Sequence, residues 1–293
     1  MQGGANNKGL VCLIAAAAVV LVFAGSSGIA AAQAAGLKKG FYKKSCPKAE
    51  EIAQRVVWNR VAGNPELAAK FLRINTAEKN AAPNLSLAGF EVIEEVKAAV
   101  ERECAGVVSC ADIVALAARD SVSYQYRRSL WEVETGRRDG TVSSDQEALA
   151  DIPAPTSTFP ILLANFSAKG LGLQDLVVLS AIIVCVCVRA QVQGQCRRNQ
   201  QDPNDNSTVV PMDPGSSVSF DSHYFVNLKA RQGMFTSDAT LLTDGRAAAL
   251  VDKLRDPGVF LDHFKNSIKR MGQIGVLTGA AGQIRKRCNA VNS

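Results

Sequence analysis

Apolar residues recur at the spacing of a helical face along most of this chain. Val92, Val96 and Val100, for example, share one side of a helix predicted over residues 87–103. The same spacing predicts helices over residues 47–61, 66–73, 162–169, 173–188, 221–231, 245–254 and 259–271, with a further helix opening at residue 110. The segment 173–188 is nearly all apolar, so we expect it to be buried.

The signals for helix ends and for strands also favour a mainly helical fold. Ser109 is followed three residues later by Asp112, which is the spacing of a capping box. Gly170 is a natural C-terminal stop for the helix before it. Strand signals are few and short, near residues 131–134 and 276–277. The sequence therefore predicts the all-α class, with long ordered loops and little strand.

Residues 1–35 differ from the rest of the chain. Lys8 is their only charged residue, residues 10–23 are apolar, and small residues follow. A basic start, a short apolar run and an Ala-x-Ala end are typical of a secretory signal peptide cleaved near residues 34–36, the alternative being a signal anchor. The apolar run is short for a membrane span. We therefore expect a protein outside the cytosol, with residues 36–293 as its folded domain.

Charge and cysteine content narrow the classes of function. The net charge is +6 at pH 7 without a clustered stripe of Lys and Arg, so nucleic-acid binding is not expected, whereas weak attraction to acidic wall polymers is. Seven of the eight cysteines follow residue 35, and this odd number leaves one thiol over if the others form disulfides. Asn84, Asn165 and Asn206 begin glycosylation sequons.

Several stretches, taken in order, resemble the secreted plant haem peroxidases of class III. Residues 107–120 spell VVSCADIVALAARD, which resembles that family's most recognisable internal helix. GFYKKSCP at residues 40–47 and GRRDG at residues 136–140 are also similar to the family. The whole resemblance covers residues 37–73, 76–179 and 196–293. It implies a plant haem-peroxidase-like helical fold in an incomplete form.

The resemblance implies that the protein reduces hydrogen peroxide and oxidises phenolic donors at haem b, as a secreted or vacuolar monomer. In that family a proximal histidine holds the iron, and a distal histidine and arginine act on the peroxide. Both histidines are absent here: the distal segment is missing near residues 74–75, and the proximal segment is altered over 181–195. His223 and His263 match neither position, and we interpret them as ordinary helix residues.

The partners of those histidines do have matches. Arg73 matches the distal arginine, and Glu78 and Asn84 match the groups that orient the distal histidine. Asp244 matches the acid that hydrogen-bonds the proximal imidazole, which is a supporting role in such sites. Pro153 matches the position whose carbonyl meets aromatic substrates, with a simple turn proline as the alternative. Without the histidines, the orienting groups have nothing to orient.

The resemblance also implies a partial calcium site. Asp213, Ser216 and Asp221 match the family's proximal calcium loop, with Ser in place of Thr. Hard oxygen ligands on a loop suit Ca²⁺, but a threonine that supplies a further ligand in the family is missing. The alternative interpretation of the three residues is a polar turn.

Two family disulfides match Cys46–Cys104 and Cys110–Cys288. A third bridge would join Cys196 to either Cys185 or Cys187, which leaves the other as the spare thiol. Cys185 and Cys187 could instead be a metal or redox pair, but two ligands on a Val-rich run are too few for a structural metal site.

Three interpretations of function follow. The first is a peroxidase family protein whose turnover is impaired because both histidines are absent. The second is a non-catalytic secreted module that binds wall polymers or phenolics. The third is a mis-spliced or mispredicted peroxidase product, for which histidine-encoding segments would be present in genomic DNA at codons 73–76 and 180–196.

Overall fold

The computed structural model describes residues 36–65, 67–71, 89–142, 153–182, 213–216, 218–232 and 235–292. Several residues that the sequence analysis singled out lie outside the described residues. They are the segment 1–35, Arg73, Glu78, Asn84, Cys185, Cys187, Cys196 and Asn206.

The described chain is helical, with one short two-stranded sheet. The α-helices are α1 (Ala49–Gly63), α2 (Leu67–Phe71), α3 (Phe90–Glu103), α4 (Cys110–Tyr126), α5 (Phe159–Ala168), α6 (Leu173–Ser180), α7 (His223–Lys229), α8 (Thr236–Thr240), α9 (Gly245–Leu254) and α10 (Pro257–Met271). The strands β1 (Lys38–Lys39) and β2 (Glu134–Thr135) pair antiparallel, with Lys38 opposite Thr135 and Lys39 opposite Glu134. The described residues also include two 3-10 turns, Phe41–Lys43 and Leu241–Thr243, and two isolated antiparallel bridges, Arg138–Leu277 and Asp139–Gln283. The predicted all-α class is confirmed.

Helix α4 is the most deeply buried of the predicted helices. It packs against α1, α2 and α3, and Ile113, Leu116 and Ala117 are fully buried. The predicted cap is present, since the hydroxyl of Ser109 accepts from the backbone N–H of Asp112 at 3.1 Å. The other half of the predicted capping box is wrong. The Asp112 carboxylate turns away from the cap and binds residues of a distant segment.

The second group of helices centres on α6. It packs against α5, α9 and α10, and its residues from Leu176 to Leu179 are at most 1% exposed. The expected burial of this apolar segment is therefore confirmed as far as residue 182, where the described part ends. Helix α10 begins two residues before the predicted start, because Asp256 caps it by accepting from the N–H of Val259 at 2.9 Å and Pro257 occupies its first turn.

Both described disulfides have the predicted partners. Cys46–Cys104 joins the segment before α1 to the end of α3, and Cys110–Cys288 joins the first turn of α4 to the C-terminal segment. The second bridge spans 178 residues of sequence, so it ties the C-terminal segment to the start of α4.

Membrane-spanning potential is low in the described ranges. No single helix there is long and apolar enough to cross a bilayer, and only α5 and α6 taken together, with a bend of 110° between them, satisfy length and composition.

Candidate functional site

Asp213, Ser216 and Asp221 do come together, at the loop that leads into α7. The hydroxyl of Ser216 donates to Oδ2 of Asp221 at 2.5 Å. Oδ1 of Asp221 accepts from the backbone N–H of His223 at 2.8 Å, which fixes the first turn of α7. Nδ1 of His223 in turn lies 2.8 Å from Oδ1 of Asp213, and Nδ2 of Asn227 donates to the same oxygen. We call these five residues the α7 loop cluster.

One oxygen of the α7 loop cluster has no hydrogen-bond partner among the described residues. Asp213 is 1% exposed, and its Oδ2 makes no hydrogen bond with any residue that the structure describes. Burial raises the pKa of Asp213, and the neighbouring carboxylate of Asp221 adds to this, while contacts with His223 and Asn227 oppose it. A buried carboxylate oxygen without a donor is stabilised by a cation.

The donor chemistry of the α7 loop cluster fits a calcium ion in type and falls short in number. Asp213, Ser216 and Asp221 provide hard oxygens, of which Ca²⁺ takes about six to eight. Within the described ranges, no group of three or more His, Cys, Asp or Glu forms a metal cluster. The α7 loop cluster could therefore supply only part of an oxygen site. Backbone oxygens or water would have to supply the other ligands.

The described residues do not fit haem as the α7 loop cluster fits calcium. The chain has only two histidines, and neither lies at the end of α2 or of α6, where the resemblance would place the iron's histidines. His223 is held in the α7 loop cluster, and His263 is half-buried on α10. Helix α6 ends at Ser180. The next two residues, Ala181 and Ile182, are apolar and buried.

The remaining described candidates are placed as follows. Asp244 caps α9, where its Oδ1 accepts from the N–H groups of Arg246 and Ala247 at 2.9 and 3.1 Å. The Arg246 guanidinium, helped by these backbone N–H groups, holds the pKa of Asp244 below its usual range. Pro153 is buried in the segment ahead of α5. Asn165 is half-buried on α5.

A buried polar network around Asp112 was missed by the sequence analysis. Its carboxylate accepts from the hydroxyl of Tyr42 at 2.7 Å, from the N–H of Gly136 at 2.6 Å and from the guanidinium of Arg137 at 2.9 Å. Burial of the hydroxyl beside this carboxylate raises the pKa of Tyr42 far above its usual value. The signal was available, because Asp112, Gly136 and Arg137 all lie in motifs that carry the resemblance.

Asp139, near the other end of the 136–140 motif, binds backbone N–H groups of two separate segments. Its carboxylate accepts from the N–H groups of Cys110 and Ala111 at 3.1 and 2.8 Å, so it neutralises unpaired donors at the start of α4. It also accepts from the N–H of Arg285 at 2.8 Å. The two motifs at residues 107–120 and 136–140 are thus two sides of one buried junction.

The comparisons with known proteins agree with this architecture. The chain matches the peroxidase family over residues 37–256. It is 39% identical to Peroxidase 24 of Arabidopsis thaliana, with 87% of each chain covered, and 39% identical to Peroxidase 56 of the same plant, with 91% and 94% covered. It is 37% identical to Peroxidase 1 of Oryza sativa subsp. japonica, with 98% of this chain and 100% of the relative covered. The chain therefore belongs to the class III peroxidase family of plants.

The length of one alignment bears on the missing segments. The alignment to the rice relative runs over 337 positions, whereas this chain has 293 residues. The relative therefore has residues for which this chain has no counterpart.

Proposed function

We propose that this protein is a secreted member of the plant haem peroxidases whose reduction of hydrogen peroxide with phenolic donors is impaired. The observation that carries the proposal is the placement of the two histidines. His223 is occupied by Asp213 and Asn227 at the α7 loop cluster, and His263 lies on α10. The alignment over 337 positions supports the absence from this chain of residues that the rice relative has. The remaining expected partners, Arg73, Glu78, Asn84, Asp244 and Pro153, would then be remnants of the ancestral site.

Haem reconstitution tests this proposal. When the purified chain is mixed with one equivalent of haem b, we expect no Soret band typical of a histidine-ligated haem. We expect oxidation of a guaiacol-type phenol by hydrogen peroxide to be at least about 100-fold slower than with an active plant peroxidase, because general acid–base help of that size has no side chain to supply it.

Two single variants serve as controls for ligation by the histidines that remain. The variants His223→Ala and His263→Ala should leave the haem spectrum unchanged. A Soret band that disappears in either variant, or turnover equal to that of an active relative, would contradict the proposal.

We further propose that Asp213, Ser216 and Asp221 hold a calcium ion weakly. The support is the converging set of oxygens and the buried Oδ2 of Asp213. With oxygens from only three side chains, the affinity should be in the range of about 0.1–1 mM that is typical of weak extracellular sites. The ion would tie the loop to α7 and so stabilise the folded chain.

A thermal-denaturation series tests the calcium proposal. Calcium at about ten times its Kd should stabilise the protein by about 1.4 kcal/mol, and chelation should reverse this. The variant Asp213→Asn should lose the response, whereas Asp262→Asn, which changes an exposed carboxylate on α10, should keep it. An equal response in both variants would show that calcium acts elsewhere.

A second candidate function is the non-catalytic binding of acidic wall polymers. It is favoured by exposed lysines that gather around Glu132, and it requires neither haem nor peroxide.

A further inference from the structure

Exposed lysines flank the short sheet at the N-terminal end of the described chain. Lys38 and Lys39 form β1. Lys43 is the last residue of the 3-10 turn Phe41–Lys43, and Lys44 comes directly after it. All four side chains are exposed. Tyr42, between them, is buried and hydrogen-bonded to Asp112, so this segment is anchored to the buried network.

The tertiary fold adds a lysine from the far end of the domain. Lys39 forms an ion pair with the exposed carboxylate of Glu132. Lys269, from α10, lines the same surface cavity as Glu132. Lys39, with Lys269 and Lys43, holds the pKa of Glu132 below its usual range. We call Lys38, Lys39, Lys43, Lys44 and Lys269 the lysine face. The sequence analysis reported no clustered stripe of Lys and Arg, although four of these lysines lie within residues 38–44. Only the fold brings Lys269 to them.

The carboxylates beside the lysine face do not cancel its charge. Glu132 is paired with Lys39, and Glu134 accepts from Nε2 of Gln273 at 2.8 Å. Glu103, further along, is paired with Lys48 at 3.0 Å. The five lysines of the face therefore outnumber the two neighbouring carboxylates, Glu132 and Glu134. Among the described residues, the structure records no ion pair for Lys43, Lys44 or Lys269.

An aromatic ring lies within the same surface. Phe41 is 39% exposed, and the ammonium of Lys38 lies 5.4 Å from its ring centroid. The ring rests against Gly136, where φ is +122° and an added Cβ would lie 2.9 Å from the ring. Gly136 thus lets the ring lie on the backbone. A fixed apolar face next to ammonium groups suits a ligand that carries C–H groups and carboxylates on one rigid ring.

We infer that the lysine face binds a linear acidic polysaccharide, with its carboxylates on the lysines and a sugar ring against Phe41. This rests on the second proposed function and names the surface that performs it. Nucleic acid is disfavoured as the ligand, because the lysine face presents ammonium groups and not the guanidinium groups that suit phosphate. The nearby Arg137 is buried, and its guanidinium donates to Asp112 and to Gly272. The attraction is between exposed charges, so salt should weaken it strongly.

Binding of the full chain to polygalacturonate, measured by calorimetry at about 20 mM and 150 mM salt, tests the inference. The double variant Lys43→Gln/Lys269→Gln should bind roughly tenfold more weakly at low salt, because each lysine near an anionic surface contributes several-fold to affinity. The matched variant Lys229→Gln/Lys253→Gln removes two charges from α7 and α9 and should bind within about twofold of the unmodified chain. The variant Phe41→Ala should bind more weakly with an unchanged salt dependence.

The possible outcomes distinguish an error in the proposed surface from an error in the second proposed function. If the unmodified chain does not bind polygalacturonate at low salt, both this inference and the second proposed function are wrong. If it binds but the two double variants lose the same amount of affinity, the lysine face is not the binding surface, and the second proposed function is still supported. Tighter binding to duplex DNA or to phosphatidylserine vesicles than to polygalacturonate would overturn the assignment to an acidic polysaccharide.

Discussion

Replacing Arg137 by Met is expected to lower the free energy of unfolding by about 3–5 kcal/mol. The guanidinium of Arg137 donates to Asp112 at 2.9 Å and to the carbonyl oxygens of Glu134 and Gly272. Arg137 is 4% exposed and Asp112 is fully buried. Methionine fills similar space but leaves the Asp112 carboxylate buried without its counter-charge. Urea denaturation followed by circular dichroism measures the loss.

An exposed ion pair provides the matched control. Arg60 forms an ion pair with Glu95 on the surface, where its side chain is 54% exposed. The same change, Arg60→Met, should cost less than about 1 kcal/mol, because exposed pairs are solvated and flexible. The double variant Arg137→Met/Asp112→Asn should recover part of the loss by removing the stranded charge. If Arg137→Met costs no more than Arg60→Met, the network does not stabilise the junction as argued.

Removing the Cys110–Cys288 bridge is expected to have a comparable effect. The variant Cys110→Ala/Cys288→Ala releases a loop of 178 residues, and the entropy of the unfolded chain then rises enough to cost about 5 kcal/mol. Both sulfurs lie in the buried core, so the change also removes packed atoms. Thermal and denaturant unfolding of the oxidised protein and of the variant measure the difference.

The second described bridge gives an internal comparison. Cys46–Cys104 closes a loop of 58 residues, so its removal should cost about 1 kcal/mol less on loop entropy alone. A larger loss for Cys46→Ala/Cys104→Ala than for the longer loop would mean that local packing, rather than chain entropy, sets the contribution of these bridges.

Most of the helices were predictable because local signals agree with the tertiary environment. Helix α9 has the predicted bounds, and α3 and α10 differ only at their starts. Strand β1 was not predicted, because two lysines have no strand pattern and pair only because β2 is placed beside them. Helix α8 was also missed, since Thr236–Thr240 is too short to show a helical period.

The candidate site was predictable in part. Asp213, Ser216 and Asp221 were named because they match the family's calcium loop, and the structure places them close together, while calcium binding there stays a prediction. The contact between His223 and Asp213 was not foreseen, because it depends on how the first turn of α7 folds back on the loop. The interpretation of His223 as an ordinary helix residue was therefore incomplete.

By itself, the sequence determined the helical class and the resemblance to the family, and through that resemblance it predicted two disulfides and the absence of histidines from the family's catalytic positions. The helical class follows from local spacing, and the other predictions follow from the family resemblance that the order of the motifs carries, so none of them needs coordinates. Only the tertiary structure decided that Asp112 is buried against Arg137, that His223 occupies Asp213, and that Lys269 joins the lysines of β1 around Glu132. Each of these depends on bringing residues from separate elements within a few ångströms, where burial and charge act directly.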